Sequence, residues 1–446
     1  MNKDLTVGKP SSVLWAYSLP LFGSIIFQQL YNIADSFVAG HYIGTEALGA
    51  VGNSYEITLI YIAFAFGCNI GTSVVVAKYF GSKKFDKVKT TITTSIIVSL
   101  IIGIGLTIIG LYGSAFLLNL IKTPFEIFED SLIYLKIYLA GFIFLLLYNV
   151  ATGIFSALGD SKTPFIFLAV SSIGNIFIDI LFVKYFKMGI EGVALATFLC
   201  QGIASLLAAI VVHKRIKQLK IEVKTPIYSN ECLKELAHIA IPSILQQTFI
   251  SVGNIAIQSM INAYGFAATG GYSAAVKLNN MTITSITALG NGMSNYSAQN
   301  AGANKPDRIH DGLKAGIKMA IMIAVIFGMI YIGAGESLIK LFITDGNQDA
   351  INIGVKFLKI VSPFYFVIAI KLICDGILRG TNCMKLFMAA TLIDLLVRVI
   401  FAKTFSQFFN LQLNGIWLAW PFGWIIGAIC SLYFYNVIKK QNYRIR

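Results

Sequence analysis

Apolar residues in this chain come in long unbroken runs, not in stripes. Residues 96–109, 142–150, 203–212 and 319–332 are almost wholly Ile, Leu, Val, Phe, Ala, Met and Gly. Crossing about 30 Å of hydrocarbon takes roughly 20 residues of helix. The runs reach that length once neighbouring Gly, Ser, Thr and an occasional buried polar residue are admitted, as is normal where helices pack on helices. The pattern predicts about twelve membrane-spanning helices, near 12–39, 50–79, 91–117, 131–155, 163–184, 190–214, 234–262, 272–299, 311–334, 353–377, 386–408 and 414–438. Membrane strands would alternate apolar and polar over about 10 residues, and these runs do not.

Composition agrees: 56% of the 446 residues are hydrophobic and 13% charged, about half the charge density of a soluble domain. The formal net charge of +14 does not mark a nucleic-acid binder, because the basic residues sit in short loops between apolar runs. One set of loops carries Lys83, Lys84, Lys87 and Lys89, then Lys162, then Lys214, Arg215, Lys217, Lys220 and Lys224, then Lys305, Arg308 and Lys314, then Arg379 and Lys385, and finally Lys439, Lys440, Arg444 and Arg446. The alternate set offers only Lys122, Lys184, Lys187, Lys340 and Lys403. Basic loops stay on the cytoplasmic side, so both termini are expected inside a cell membrane, with no cleaved signal peptide. The six Cys form no CxxC pair and read as small buried hydrophobes.

The two halves repeat each other. Ser18-Leu19-Pro20 lines up with Ala240-Ile241-Pro242, AKYFGSKKFDK (77–87) with AQNAGANKPDR (298–308), and GIEGVALA (189–196) with QLNGIWLA (412–419), at offsets of 222, 221 and 223. An even number of spans per half makes this a parallel repeat about an axis along the membrane normal. The expected architecture is all-α: an N-lobe (1–214), a cytoplasmic linker (215–233) and a C-lobe (234–446), each lobe a six-helix bundle. Pro20 and Pro242 interrupt the first helix of each half at matching positions and are candidate hinges.

Charged groups inside hydrocarbon are costly and mark function by default. Gln28, Asn32 and Asp35 share one face of the first span at i, i+4, i+7. Asn175 and Asp179 are one turn apart in the fifth span, and Thr197 and Gln201 in the sixth. Two carboxylates with amide and hydroxyl oxygens suit a proton or a hard monovalent cation such as Na⁺; the same oxygens serve both. The second half lacks the equivalents: Asp35 maps to Ile257, Asp179 to Ala402, Thr197 to Trp420 and Gln201 to Trp424. Coupling is therefore expected in the first lobe alone. Trp417, Trp420 and Trp424 form an aromatic stripe that reads either as a substrate wall for flat lipophilic cations or as an interfacial belt facing lipid. Asp394 and Arg398, one turn apart, are expected to pair structurally; Glu56 is expected to face outer solvent, and Lys277 has no assigned role. GxxxG pairs at Gly40/Gly44 and Gly67/Gly71 read as packing. GxxxxGK[ST], HExxH and GxSxG are absent, so no ATP-driven pump and no enzyme is indicated, and energy is expected from an ion gradient.

The segments SLPLFGSIIFQQLYNIADSFVAG (18–40), GIFSALGDSKTP (153–164), GIEGVALATFLCQG (189–202), IPSILQQ (241–247) and GILRGT (376–381) resemble the multidrug and toxic compound extrusion (MATE) family over nearly the whole chain. In the second copy of the loop motif, GILRGTNCMK, the acidic residue and the proline are missing. The resemblance implies a twelve-helix, V-shaped antiporter that exports organic cations in exchange for H⁺ or Na⁺, with no other cofactor. In the DinF-like bacterial branch the cation site lies in the N-terminal lobe, which places it on Asp35, Asn175, Asp179 and Thr197. Branches with acids in the seventh and tenth helices fit less well, since the seventh here offers Ser251 and Asn254, and the tenth Asp375 alone near its cytoplasmic end. The expected partners are small amphipathic or cationic substrates and the lipid bilayer, and one chain suffices as a monomer. The competing readings are a lipid-linked oligosaccharide flippase of the same superfamily, which would want a cationic cavity, and a membrane-embedded transferase, which would want a His/Asp or Cys/His cluster.

Overall fold

The computed structural model describes residues 3–219, 221, 225–343 and 347–441, and from α1 through the π-helical turn Ala39–Ile43 to α2 the side chains of residues 30–37, 39, 40, 45, 46, 48 and 56 lie outside the described ones. Among the described residues the chain is helical, without strands. The α-helices are α1 Pro10–Val38, α2 Thr45–Gly81, α3 Phe85–Leu120, α4 Phe125–Ala140, α5 Phe142–Ala157, α6 Lys162–Ile180, α7 Ile190–Lys217, α8 Asn230–Asn262, α9 Phe266–Gly302, α10 Pro306–Lys340, α11 Gln348–Val361, α12 Tyr365–Gly380, α13 Met384–Lys403 and α14 Gln412–Lys440. Two of the expected spans are broken. The fourth divides at Gly141 into α4 and α5, which meet at 46°; a Cβ at Gly141 would lie 3.0 Å from the Phe198 ring, so the bend brings the backbone against α7. The tenth divides at Ser362–Phe364, where Pro363 removes a backbone donor. With each broken pair taken as one span, twelve helices remain. Among the described residues nine helices, or ten with the bent pair, are long and apolar enough to cross a membrane by composition; α9 and α13, which carry more polar and charged side chains, are not among them.

The repeat is written into the backbone. Left-handed turns recur at Gly44 and Gly265, Lys83 and Asn304, Gly159 and Asn382, and Lys187 and Asn410, pairs separated by 221 to 223 residues (265 − 44 and 410 − 187). A π-helical turn at Leu181–Tyr185 recurs at Thr404–Phe408, 223 residues on (404 − 181).

The chain forms two compact units, one of Met1–Asp4 with Leu19–Ile244 and one of Leu5–Ser18 with Leu245–Arg446. The changeovers fall inside α1 beside Pro20 and inside α8 beside Pro242. In the first unit α2 packs on α3, α4 and α5, and α7 on α4, α5 and α6. Gly67 and Gly71 let α2 approach the start of α8: a Cβ at Gly67 would lie 2.9 Å from the Ala240 carbonyl, and one at Gly71 3.0 Å from that of Leu236. In the second unit α9 packs on α10, α11 and α12, and α14 on α12 and α13.

Matching loops tie down the segment that belongs to the other half in sequence. In the first unit, Glu231 and Glu235 at the start of α8 meet Lys87 Nζ (2.9 Å) and Lys78 Nζ (3.3 Å), and the Tyr79 hydroxyl donates to Glu235 (2.7 Å). Thr90 and Thr93 donate to the Pro226 and Ile227 carbonyls, so the chain leading into α8 lies along α3. In the second unit, Gln299 accepts from Leu5 N (2.8 Å), Arg308 donates to the Gly8 carbonyl (2.7 Å) and Lys305 to that of Thr6 (2.9 Å). Lys78 and Gln299, and Lys87 and Arg308, are repeat mates at an offset of 221 (299 − 78, 308 − 87).

Candidate functional site

In the first unit, Asn175 and Asp179 stand one turn apart on α6 and are buried, Asp179 with no exposed surface, while Thr197 on the neighbouring α7 is buried as well. Each of the three is engaged in an interaction within the protein. Thr197 and Gln201 border a cavity of about 10 Å³ with Tyr138, Gly141, Leu145 and Phe198, room for one water. Pro20 lies half-buried inside α1, and Gln28 is exposed. Asp35 and Asn32 belong to α1, but their side chains lie outside the described residues, as does that of Glu56 on α2. A fully buried carboxylate on α6 is expensive in hydrocarbon, whereas its repeat mate on α13 is the buried methyl of Ala402.

The second unit differs from expectation. Trp417, Trp420 and Trp424 form neither a substrate wall nor a lipid-facing belt. All three are buried, Trp417 stacked on Tyr272 (5.5 Å) and edge-on to Phe357 (5.1 Å), Trp420 edge-on to Phe357 (5.9 Å) and Trp424 against Tyr365 (5.9 Å). Aromatic packing of this kind is core; the sequence spacing could not tell which face α14 turns inward.

Behind these rings lies a buried ionic network that the sequence reading largely missed. Lys371 on α12 donates from Nζ to Asp375 Oδ2 at 2.8 Å and lies 3.6 Å from Asp394 Oδ2 on α13, with side chains only 4%, 2% and 11% exposed. Ser431 on α14 donates to the other Asp375 oxygen at 2.6 Å. Asp394 and Arg398 share a face of α13 as expected, but they turn to different partners. Asp394 faces Lys371, and Arg398 donates to Asn254 Oδ1 on α8 (3.2 Å) while its guanidinium covers the Trp420 ring (4.4 Å). Arg379, one turn beyond Asp375, donates to Asn291 Oδ1 on α9 (2.8 Å) and covers Phe387 (5.3 Å). Gly423 and Gly427 make room on α14: a Cβ at Gly423 would lie 2.9 Å from Asp394 Oδ1, and one at Gly427 2.8 Å from Lys371 Cε. The signal was available, since Lys371 and Asp375 are charges at i, i+4 inside an apolar span, the signature of a paired intramembrane ion.

A sequence model of the MatE family matches residues 20–181 and again 242–404. The chain belongs to the multidrug and toxic compound extrusion family. The two matches are the repeat itself, offset by 222 and 223 residues (242 − 20, 404 − 181), and each begins at or beside the proline of its first helix. The chain is 29% identical to the probable multidrug resistance protein YpnP of Bacillus subtilis, covering 97% of this chain and 96% of that one. It is 24% identical to the probable multidrug resistance protein NorM of Thermotoga maritima, over 95% and 89%. Among solved structures it superimposes on an outward-facing multidrug resistance MATE transporter of the MOP superfamily with a TM-score of 0.92 at 22% identity, covering 99% of this chain and 98% of that one. The two relatives are described as probable multidrug resistance proteins and the solved structure as a multidrug resistance transporter, and this MATE chain shares that structure's fold from end to end.

Proposed function

We propose that the chain is a secondary antiporter that exports amphipathic, mostly cationic compounds in exchange for H⁺ or Na⁺ by alternating access. It would sit in the cell membrane as a monomer, since one chain carries both repeats, with both termini cytoplasmic, where the basic loops gather. The observation that carries this reading is the full burial of Asp179 beside Asn175 on α6, with Thr197 buried on α7 and nothing ionisable at the repeat mate Ala402. A carboxylate kept in hydrocarbon is stabilised by a bound cation or by its own proton. Asp35 would be the main coupling carboxylate, Asp179 and Asn175 would tune it, and Thr197 would complete the oxygen set, with Gln28, Asn32 and Gln201 in support. Neutralising the site would release polar contacts on α1 and let it bend at Pro20, which helps expel substrate.

The test is gradient-driven efflux of ethidium from cells or proteoliposomes. Asp35→Asn and Asp179→Asn should each abolish efflux while the purified protein keeps its elution profile and melting temperature within a few degrees. A protonophore, or a sodium ionophore, should stop wild-type efflux and so identify the ion. Full efflux by either variant removes the coupling assignment.

A further inference from the structure

The connections on the side opposite the basic loops hold few cations, as membrane topology favours. Two of those few, Lys184 and Lys187, line one cavity of about 370 Å³ in the first unit, the size of a small-ligand pocket. Tyr42 and Ile43 reach it from the turn between α1 and α2, and Val183 and Met188 from the connection between α6 and α7. Both lysines are exposed, and among the described residues neither forms an ion pair. Glu191, in the first turn of α7, is exposed and pairs with neither. Lys184 Nζ lies over Tyr42 and Tyr185, 5.8 and 5.7 Å from the ring centres. Cation–π attraction to the two rings holds the ammonium at the cavity without neutralising it.

The repeat mate shows that the fold does not require this arrangement. Tyr264 stands in the place of Tyr42 (264 − 42 = 222), and its hydroxyl shares a 2.6 Å hydrogen bond with Ser406, the mate of Val183 (406 − 183 = 223). Gln407 and Asn410 replace the two lysines (407 − 184 and 410 − 187, both 223). Lys403, beside them, is the mate of Ile180 (403 − 180 = 223). Neutral polar residues are enough to make the same π-helical turn.

The helix leading to the cavity carries an apolar row on its outside. Ile166, Val170, Ile173, Phe177 and Leu181 recur at i, i+4, i+7, i+11, i+15, and all five are exposed, while Ser172, Asn175 and Asp179 on another face are buried. An exposed apolar row of this kind marks contact with membrane. It is about 22 Å long at 1.5 Å per residue, longer than one leaflet's half of the roughly 30 Å hydrocarbon core. Tyr185 and Phe186, both exposed, follow it, and aromatic residues of this kind gather at the membrane–water interface. Lysines at headgroup level, at the end of an apolar row of acyl length, match the two parts of an anionic lipid.

We propose that this cavity binds the phosphodiester headgroup of an anionic lipid between Lys184 and Lys187, with an acyl chain lying along the exposed row of α6. The site is separate from the buried face of α6 that carries Asn175 and Asp179, and it is the same whichever ion drives efflux.

Photo-crosslinking of the full-length protein in phosphatidylcholine vesicles tests this. The probes are phosphatidylglycerol and phosphatidylcholine, each with a diazirine in the acyl chain, and labelled peptides are mapped by mass spectrometry. Phosphatidylglycerol should label residues 170–185 about tenfold or more above phosphatidylcholine. Lys184→Gln and Lys187→Gln should each cut that labelling by about fivefold, the contribution of one lysine at an anionic headgroup. Lys184→Arg, which keeps the charge, should label as wild type does. Both positions are exposed, so the variants should melt with wild type. The mate stretch, 393–408, should show no such preference although Lys403 lies within it, which separates a built site from general attraction of anions to a basic protein. Glycerol phosphate in large excess, which offers the phosphate without the chains, should not displace the probe. Equal labelling by the two lipids, no loss in either glutamine variant, an equal preference at 393–408, or displacement by glycerol phosphate would each overturn the proposal.

Discussion

Replacing Lys371 by Met should cost the second unit a large part of its stability. Lys371 is almost fully buried and is the cation nearest both Asp375 (2.8 Å) and Asp394 (3.6 Å). At an effective dielectric of 20, each such contact is worth about 4–6 kcal/mol of gross attraction, most of it offset by the desolvation that all three groups already carry. Methionine fills the volume but leaves two carboxylates facing each other in hydrocarbon, with only Ser431 still donating to Asp375. Breaking a buried pair from one side costs about 3–5 kcal/mol. At roughly 2–4 °C per kcal/mol for a folding unit of about 200 residues, the midpoint should fall by roughly 6–20 °C. Ser431→Ala, which removes one hydrogen bond to a charged group, should cost less, about 1.5–3 kcal/mol. The informative variant is the triple Lys371→Met, Asp375→Asn, Asp394→Asn. Neutralising the whole cluster removes the uncompensated charge and should recover most of the loss. The assay is thermal melting of detergent-solubilised full-length protein followed by size-exclusion fluorescence. A single variant that melts within about 2 °C of wild type, or a triple variant no more stable than the single, would refute the argument that Lys371 neutralises these carboxylates.

Two further outcomes follow from the packing. A Cβ at Gly290 would lie 2.8 Å from the Leu372 carbonyl, so α9 and α12 touch backbone to backbone there. Gly290→Val should destabilise by about 3 kcal/mol or more, whereas Gly333→Ala on α10, with nothing within 4 Å, should stabilise slightly, by about 0.5–1 kcal/mol; comparing the two melting curves checks this. Asp160 accepts from Arg215 (2.6 Å) and from the Thr163 amide and hydroxyl at the start of α6. Asp160→Ala should lower the midpoint by more than Arg215→Gln, because it also removes the hydrogen bonds that begin the helix.

Much of this protein is legible without coordinates. Run length decides that the helices span a membrane, and loop charge decides their expected direction. Three matched segments at one offset reveal the repeat, which returns as paired left-handed turns and paired π-helical turns. Asp179 and Asn175 stand out because carboxylates in hydrocarbon are rare and α6 places them on one face. Periodicity alone does not say which face of a helix is covered when both faces are apolar. Hence Trp420 and Trp424 read as either a substrate wall or a lipid-facing belt but are buried in the core, and the bend at Gly141 and the break at Pro363 were absorbed into single spans.

Partner choice is the other thing only tertiary structure decides. Asp394 and Arg398 are neighbours on α13, and helical spacing pairs them; packing puts Lys371 from α12 nearer to the carboxylate and Asn254 from α8 nearer to the guanidinium. Spacing along one helix limits which side chains are able to meet. Which of them do meet is set by the helices brought alongside, a long-range outcome to which every turn of the bundle contributes.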